Sequence, residues 1–183
     1  AATVRVPPAG WSPGSPAAAA RPPAPASVAA PAAVRRPAFW LLWAMLCLNT
    51  TAGIAVLSQA SPLVQELLPG RVTPAAAAGF VALLSLANMV GRFAWSALSD
   101  RIGRRATYVT FFVAGAGCYA GAAAAGRAGS LPLVVAALVL ALSMYGGGFA
   151  TIAPYVRDLF GPAHAGAIYG RLLTAWSAAA LLG

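Results

Sequence analysis

Apolar residues run in long blocks over 39–61, 75–98, 107–126 and 131–153, and a fifth block opens at 165 and continues to 183. Each is close to the ~20 residues that an α-helix needs to cross a ~30 Å hydrocarbon core. The pattern predicts an all-α integral membrane chain with about five transmembrane helices. Trp40 and Trp43 open the first block at the interface and Pro62 stops it; Pro74 starts the second, and Pro154 closes the fourth. Short polar connections separate the blocks. Glu66 and Arg71 follow the first, and a cytosolic connector over 155–164 carries Arg157, Asp158 and His164.

The segment ahead of the first block reads differently. Residues 1–38 hold nine of the fifteen prolines, many alanines, and Arg5, Arg21, Arg35 and Arg36. Such a segment has too little apolar surface to bury and is expected to be an extended or disordered cytosolic linker. It has neither the continuous apolar core of a signal peptide nor an initiator Met, so it is expected to continue from something upstream. The chain thus divides into a linker over 1–38 and a transmembrane bundle over 39–183.

Polar and small residues inside the blocks mark where the helices do more than face lipid. Asn49, Thr50 and Thr51 sit mid-way along the first, with Gln59 near its far end. At that depth they bond to neighbouring helices or line a path, and the spacing fits both. Gly117 and Gly121 in the third block form a small-xxx-small packing motif. The fourth block is interrupted by Gly146, Gly147 and Gly148 after Tyr145. Each costs about 1 kcal/mol against Ala in a helix, and no strand or following Lys makes them a phosphate cradle. They read as a hinge or a close-packing point, with Pro154 as a second hinge position.

The second block carries the main candidate chemistry. Arg92 lies inside it, and a guanidinium in the bilayer costs at least ~2.5 kcal/mol, so it normally faces a bundle interior or a water-filled path. At about 100° per residue, Ser85, Asn88, Arg92, Ser96 and Ser99 share an arc of roughly 80°. The alternatives are that Arg92 snorkels to the headgroups or pairs with a buried carboxylate. The only acids, Glu66, Asp100 and Asp158, lie at the ends of apolar runs or outside them, which favours a functional Arg92.

Composition closes off other classes. At 60% hydrophobic and 8% charged, the chain has too few polar side chains to cover a soluble surface. Its net charge of +9 would suit nucleic acid only if the arginines formed one face with stacking aromatics, whereas they sit mostly between blocks. An inside N-terminus assigns Arg5, Arg21, Arg35, Arg36, Arg101, Arg104, Arg105 and Arg157 to the cytosol and leaves Arg71 and Arg127 outside. Arg171, near the inner end of the last block, agrees. That bias favours a multi-pass chain of the plasma (cell inner) membrane with its linker cytosolic. Cys47 and Cys118 lack metal-ligand spacing and read as packing residues without a disulfide. His164, the single histidine, is expected to make a loop hydrogen bond. No nucleophile–base pairing is visible, so no enzyme, cofactor or metal site is expected.

The run from Ser96 through Asp100, Arg101, Gly103, Arg104 and Arg105 resembles the loop signature of major facilitator transporters, G-x-L-a-D-r-x-G-r-k, departing by Ser for the first Gly and Arg for Lys. The Asp can accept at the next helix's N-terminus or from an Arg, the Gly permits a tight turn, and the arginines stay cytosolic. The stretches 6–11, 39–43, 48–53, 59–62, 145–152 and 166–179 are similar to the oxalate/formate antiporter family of major facilitators, in family order. That resemblance implies the C-terminal half of a twelve-helix transporter, comprising the central loop, helices 7 to 10 and most of helix 11. The N-terminal half and helix 12 would be its partners, together with membrane lipid and a small organic anion bound between the halves, moved by alternating access.

The resemblance also implies roles. Arg92 matches the helix 8 arginine that the family and the related monocarboxylate transporters use for the substrate carboxylate. Asn88 matches a position that is Asp in some of them, and Tyr145 is a further candidate contact. Dicarboxylate specialists carry a lysine where this chain has Trp176, so the resemblance implies monocarboxylates such as lactate or formate ahead of oxalate. Trp176 is alternatively a packing residue. Two rival readings are a receptor or scaffold that keeps the fold without transporting, and a facilitator for a neutral solute.

Overall fold

The computed structural model of the chain describes residues 26–67, 69–70 and 72–182. Most of the expected linker, with Arg5 and Arg21, and Arg71 of the first loop lie outside the described residues. The elements are α1 (Ala30–Val34), α2 (Pro37–Ser58), α3 (Ala60–Leu67), α4 (Pro74–Ile102), α5 (Arg104–Arg127), α6 (Leu131–Phe160), α7 (Ala165–Leu172) and α8 (Thr174–Leu182). Among them α2, α4, α5 and α6 are long and apolar enough to cross a membrane. Proline stands in the first turn of α1, α2, α4 and α6, where its missing N–H costs nothing.

Several boundaries differ from the expected ones. The first span ends at Ser58, and Pro62 lies in the first turn of α3, so this proline starts a helix and does not stop one. The fourth span runs unbroken through the glycine triplet and Pro154 to Phe160, leaving only 161–164 as a connector. One backbone bond is lost at Pro154, but Thr151, Ile152 and Val156 around it are fully buried, and packing overrides propensity. The fifth block is two short helices broken at Leu173. There Thr174 Oγ1 donates to Arg171 O (2.8 Å) and accepts from Trp43 Nε1 (2.9 Å), drawing the turn onto α2.

The end of the linker also departs from an extended chain. Val28 N–H donates to Phe160 O (2.8 Å), Ala163 N–H donates to Ser27 Oγ (3.2 Å), and Ala30 and Ala33 are buried in the cluster that holds Phe160, Ile168 and Leu172. Residues 27–34 are therefore folded against the ends of α6 and α7.

At the centre, α6 contacts α2, α4, α5 and α7, and its most extensive partner is α4. The reason is legible in α4. Ala77, Phe80, Leu84, Gly91 and Ser99 are buried, and half-buried Asn88 and Trp95 complete a row spaced by three and four residues. A Cβ on Gly91 would collide with the Ser143 backbone, and one on Gly146 would collide with Asn88, so α4 and α6 meet nearly backbone to backbone. The α5 motif Gly117/Gly121 behaves differently. Both are exposed with open space where a Cβ would stand, so no described helix packs on them.

Candidate functional site

Arg92 sits one turn beyond Asn88, just off the packing row of α4. It is exposed, and among the described residues it makes no hydrogen bond and no ion pair. Its guanidinium lies 5.9 Å from the centroid of the Phe149 ring, a cation–π contact. Phe149 in turn meets Trp176 of α8 edge-on (centroids 5.5 Å apart, planes at 68°) and Tyr145 (5.6 Å, 86°). Arg92, Tyr145 and Trp176 are thus gathered around one ring that the sequence did not single out. Phe149 was hidden because an aromatic in an apolar run carries no signal of its own. Its spacing of four from Tyr145 was the only clue.

The expected polar stripe divides in two. Ser85 is exposed and its hydroxyl donates to Val81 O (3.0 Å). Ser99 is buried and accepts from Arg104, and Asn88 faces α6, where its Oδ1 is buried without a hydrogen-bond partner. Only Arg92, Ser85 and half-buried Ser96 lie beyond the packing row. The arc of the stripe and the arc of the row overlap at Asn88 and Ser99, which is why the sequence placed all five together.

Trp176 is 49% exposed, and its indole N–H makes no hydrogen bond among the described residues. Tyr145 is buried with its ring against Gly53, where a Cβ would not fit. It lines a cavity of about 190 Å³ between α2, α5 and α6, with Leu48, Asn49, Phe112 and Tyr119 among its walls. Neither Arg92 nor Asn88 nor Trp176 touches that cavity. The glycine triplet is a point of close approach: Gly146 meets Asn88, Gly147 meets Trp95 and Phe111, and Gly148 meets Asn49. Tyr108 Oη donates to Gly148 O (2.7 Å) and Asn49 Nδ2 to Tyr145 O (3.4 Å), fixing the same turn from two sides.

The loop signature forms a compact charge cluster. Gly103 has φ +88°, a conformation that L side chains avoid, and it joins α4 directly to α5. Arg104 donates to Asp100 Oδ1 (2.6 Å), Asp158 Oδ2 (3.3 Å) and Ser99 Oγ (2.9 Å). It ties the α4–α5 turn to the last turn of α6. Arg101 and Arg105 are exposed, as is His164, whose side chain caps nothing at the start of α7. Cys47 is buried, Cys118 is half-buried, and both are free thiols.

Comparison with known proteins agrees with this architecture. A family model described as Major Facilitator Superfamily matches residues 2–183, and the chain belongs to that superfamily of membrane transporters. No curated protein matches it individually.

Proposed function

We propose that this chain supplies the anion-binding wall of a secondary transporter for small organic anions, with short monocarboxylates such as lactate or formate as its preferred cargo. The observation that carries this reading is the state of Arg92. A cation within a membrane-spanning helix is exposed, held over a ring, and matched by no carboxylate among the described residues. Both acids at the near end of the bundle, Asp100 and Asp158, are engaged by Arg104. An anion from solution that reached Arg92 would receive two charge-assisted hydrogen bonds from a planar fork. Trp176, which meets the same Phe149 ring, offers an apolar edge and one N–H unbonded among the described residues, which suits a carboxylate bearing a methyl or hydroxyl group. Transport requires a second wall facing Arg92, which we assign to a partner half of the transporter, with the two halves rocking about the bound anion.

Arg92→Ala is expected to abolish carboxylate uptake into vesicles while membrane insertion persists. Arg92→Lys is expected to fail as well, since a point charge does not reproduce the fork. Unchanged uptake in either variant removes Arg92 from the site. Equal thermal stabilisation by carboxylates and by neutral solutes would instead favour a neutral-solute facilitator, and carboxylate binding without uptake would favour a receptor or scaffold.

A further inference from the structure

At the end of the bundle where α2 begins, α4 and α6 finish and α5 and α7 start, the described arginines are Arg35, Arg36, Arg101, Arg104, Arg105, Arg157 and Arg171. Their acidic counterparts there are Asp100 and Asp158, and Arg104 engages both. The remaining cations have no protein carboxylate among the described residues. Two of them, Arg35 and Arg36, occupy the turn between α1 and α2, and both are exposed.

That turn is held in place from both sides. Behind it, Ala30 and Ala33 are buried against the cluster of Phe160, Ile168 and Leu172, and Val28 N–H and Ser27 Oγ are bonded to the α6–α7 junction. Ahead of it, Trp40 Nε1 donates to Val34 O (2.9 Å), strapping the first turn of α2 to the end of α1. Trp40 remains 53% exposed and the adjacent Leu41 is 65% exposed. Two exposed arginines on a fixed turn are thus followed, one turn into a membrane helix, by an indole and a leucine that are themselves exposed.

We propose that Arg35, Arg36 and Trp40 form a binding site for the headgroup of an anionic phospholipid. The phosphodiester accepts from the two guanidiniums, the indole ring lies at the headgroup level, and Leu41 meets the acyl chain below. Because the segment just ahead of the turn is bonded to the α6–α7 junction and packed on α7, an occupied site clamps the α1–α2 junction to the end of α6, the helix that carries Phe149. A lipid at this site holds the bundle's near end together without touching Arg92.

The test measures thermal unfolding of the purified chain in mixed micelles, titrated with phosphatidylglycerol or phosphatidylcholine. Phosphatidylglycerol is expected to stabilise at far lower concentration than phosphatidylcholine. At about fivefold per arginine near an anionic surface, the double variant Arg35→Gln/Arg36→Gln should lose on the order of 30-fold of that preference. Arg127→Gln, at the opposite end of α5, should keep it, and Trp40→Phe, which retains the ring but loses the strap to Val34, should fall between. An unaltered preference in the double variant overturns the site. So does an equal loss in Arg127→Gln, which would mean that only net charge matters. A soluble glycerol phosphate that stabilises as well as the lipid would show that a free anion is bound and would also overturn it.

Discussion

Two arginines twelve positions apart, Arg92 and Arg104, show what separates an architectural cation from an available one. Arg104 is wrapped by two carboxylates and a serine hydroxyl, its side chain is only 16% exposed, and its place is at the α4–α5 turn. Arg92 is inside the apolar span, exposed, and touches a ring. The first has its hydrogen-bonding capacity largely filled by the fold. The second has no hydrogen-bond or ion-pair partner among the described residues, although its position makes an unpaired charge far more costly. Intramembrane charges usually mark a pathway or a partner, and this contrast is what motivates the proposed role of Arg92.

The strongest way to break the contrast is to remove each cation in turn. Arg92→Ala is expected to lower uptake by at least about 100-fold, the scale of two charge-assisted hydrogen bonds, and to leave the unfolding temperature within error. Arg104→Ala is expected to do the reverse in kind, lowering stability measurably because Ser99 Oγ, Asp100 and Asp158 lose their common donor. If Arg92→Ala destabilised the fold as Arg104→Ala does, Arg92 would be structural too.

How far this contrast was legible beforehand depends on the kind of signal. An arginine in an apolar run stands out in any reading, and so does a glycine between an acid and two arginines. Four of the five expected spans followed from length and hydropathy, whereas the fifth is two short helices. What escaped was tertiary in origin. Pro154 looks like a stop until the buried neighbours around it are known, and Leu173 looks unremarkable until Thr174 is found bonded to both Arg171 and Trp43. Ala30 and Ala33 read as disordered composition because their burial depends on α6 and α7, far along the chain. Phe149 escaped for the same reason: its role is defined by the three side chains it touches.

A second test moves the two regions relative to one another through the helix that joins them. Gly146→Val would drive a branched side chain into Asn88 and push α4, with Arg92, away from α6, with Phe149. Overpacking of this sort costs about 1–3 kcal/mol, and the thermal midpoint should fall accordingly. The contact between Arg92 and Phe149 should loosen while the Asp100–Arg104 pair, which lies near the helix end, survives. A variant as stable as the parent would mean that α4 and α6 do not meet closely at Gly146.

Trp176 sharpens the nature of the available charge. Two carboxylates a few Å apart need two compensating cations once out of water, and this chain presents one beside Phe149. Lactate or formate should therefore outcompete oxalate for uptake. Trp176→Lys should shift the ratio toward oxalate by about tenfold, the value of ~1.4 kcal/mol for an added charge contact. Oxalate competing tenfold better than any monocarboxylate in the parent protein would show that a second cation is already supplied from elsewhere.

The smallest effect is expected at the filled arginine. Asp158 is 57% exposed on its side chain and sits 3.3 Å from Arg104 Nε, while Asp100 holds the same guanidinium at 2.6 Å. With one carboxylate and Ser99 still in place, Asp158→Asn removes only a solvent-screened pair. Such pairs contribute about 0–1 kcal/mol, so the midpoint should fall by at most a few degrees. Because the Debye length shrinks from about 10 Å at 0.1 M salt to about 3 Å at 1 M, the difference between parent and variant should narrow as salt is raised. The corresponding difference for Arg92→Ala is in uptake and not in stability. A large, salt-insensitive destabilisation by Asp158→Asn would mean that the cluster is shielded from water and that Arg104 anchors α6 far more firmly than an exposed pair can.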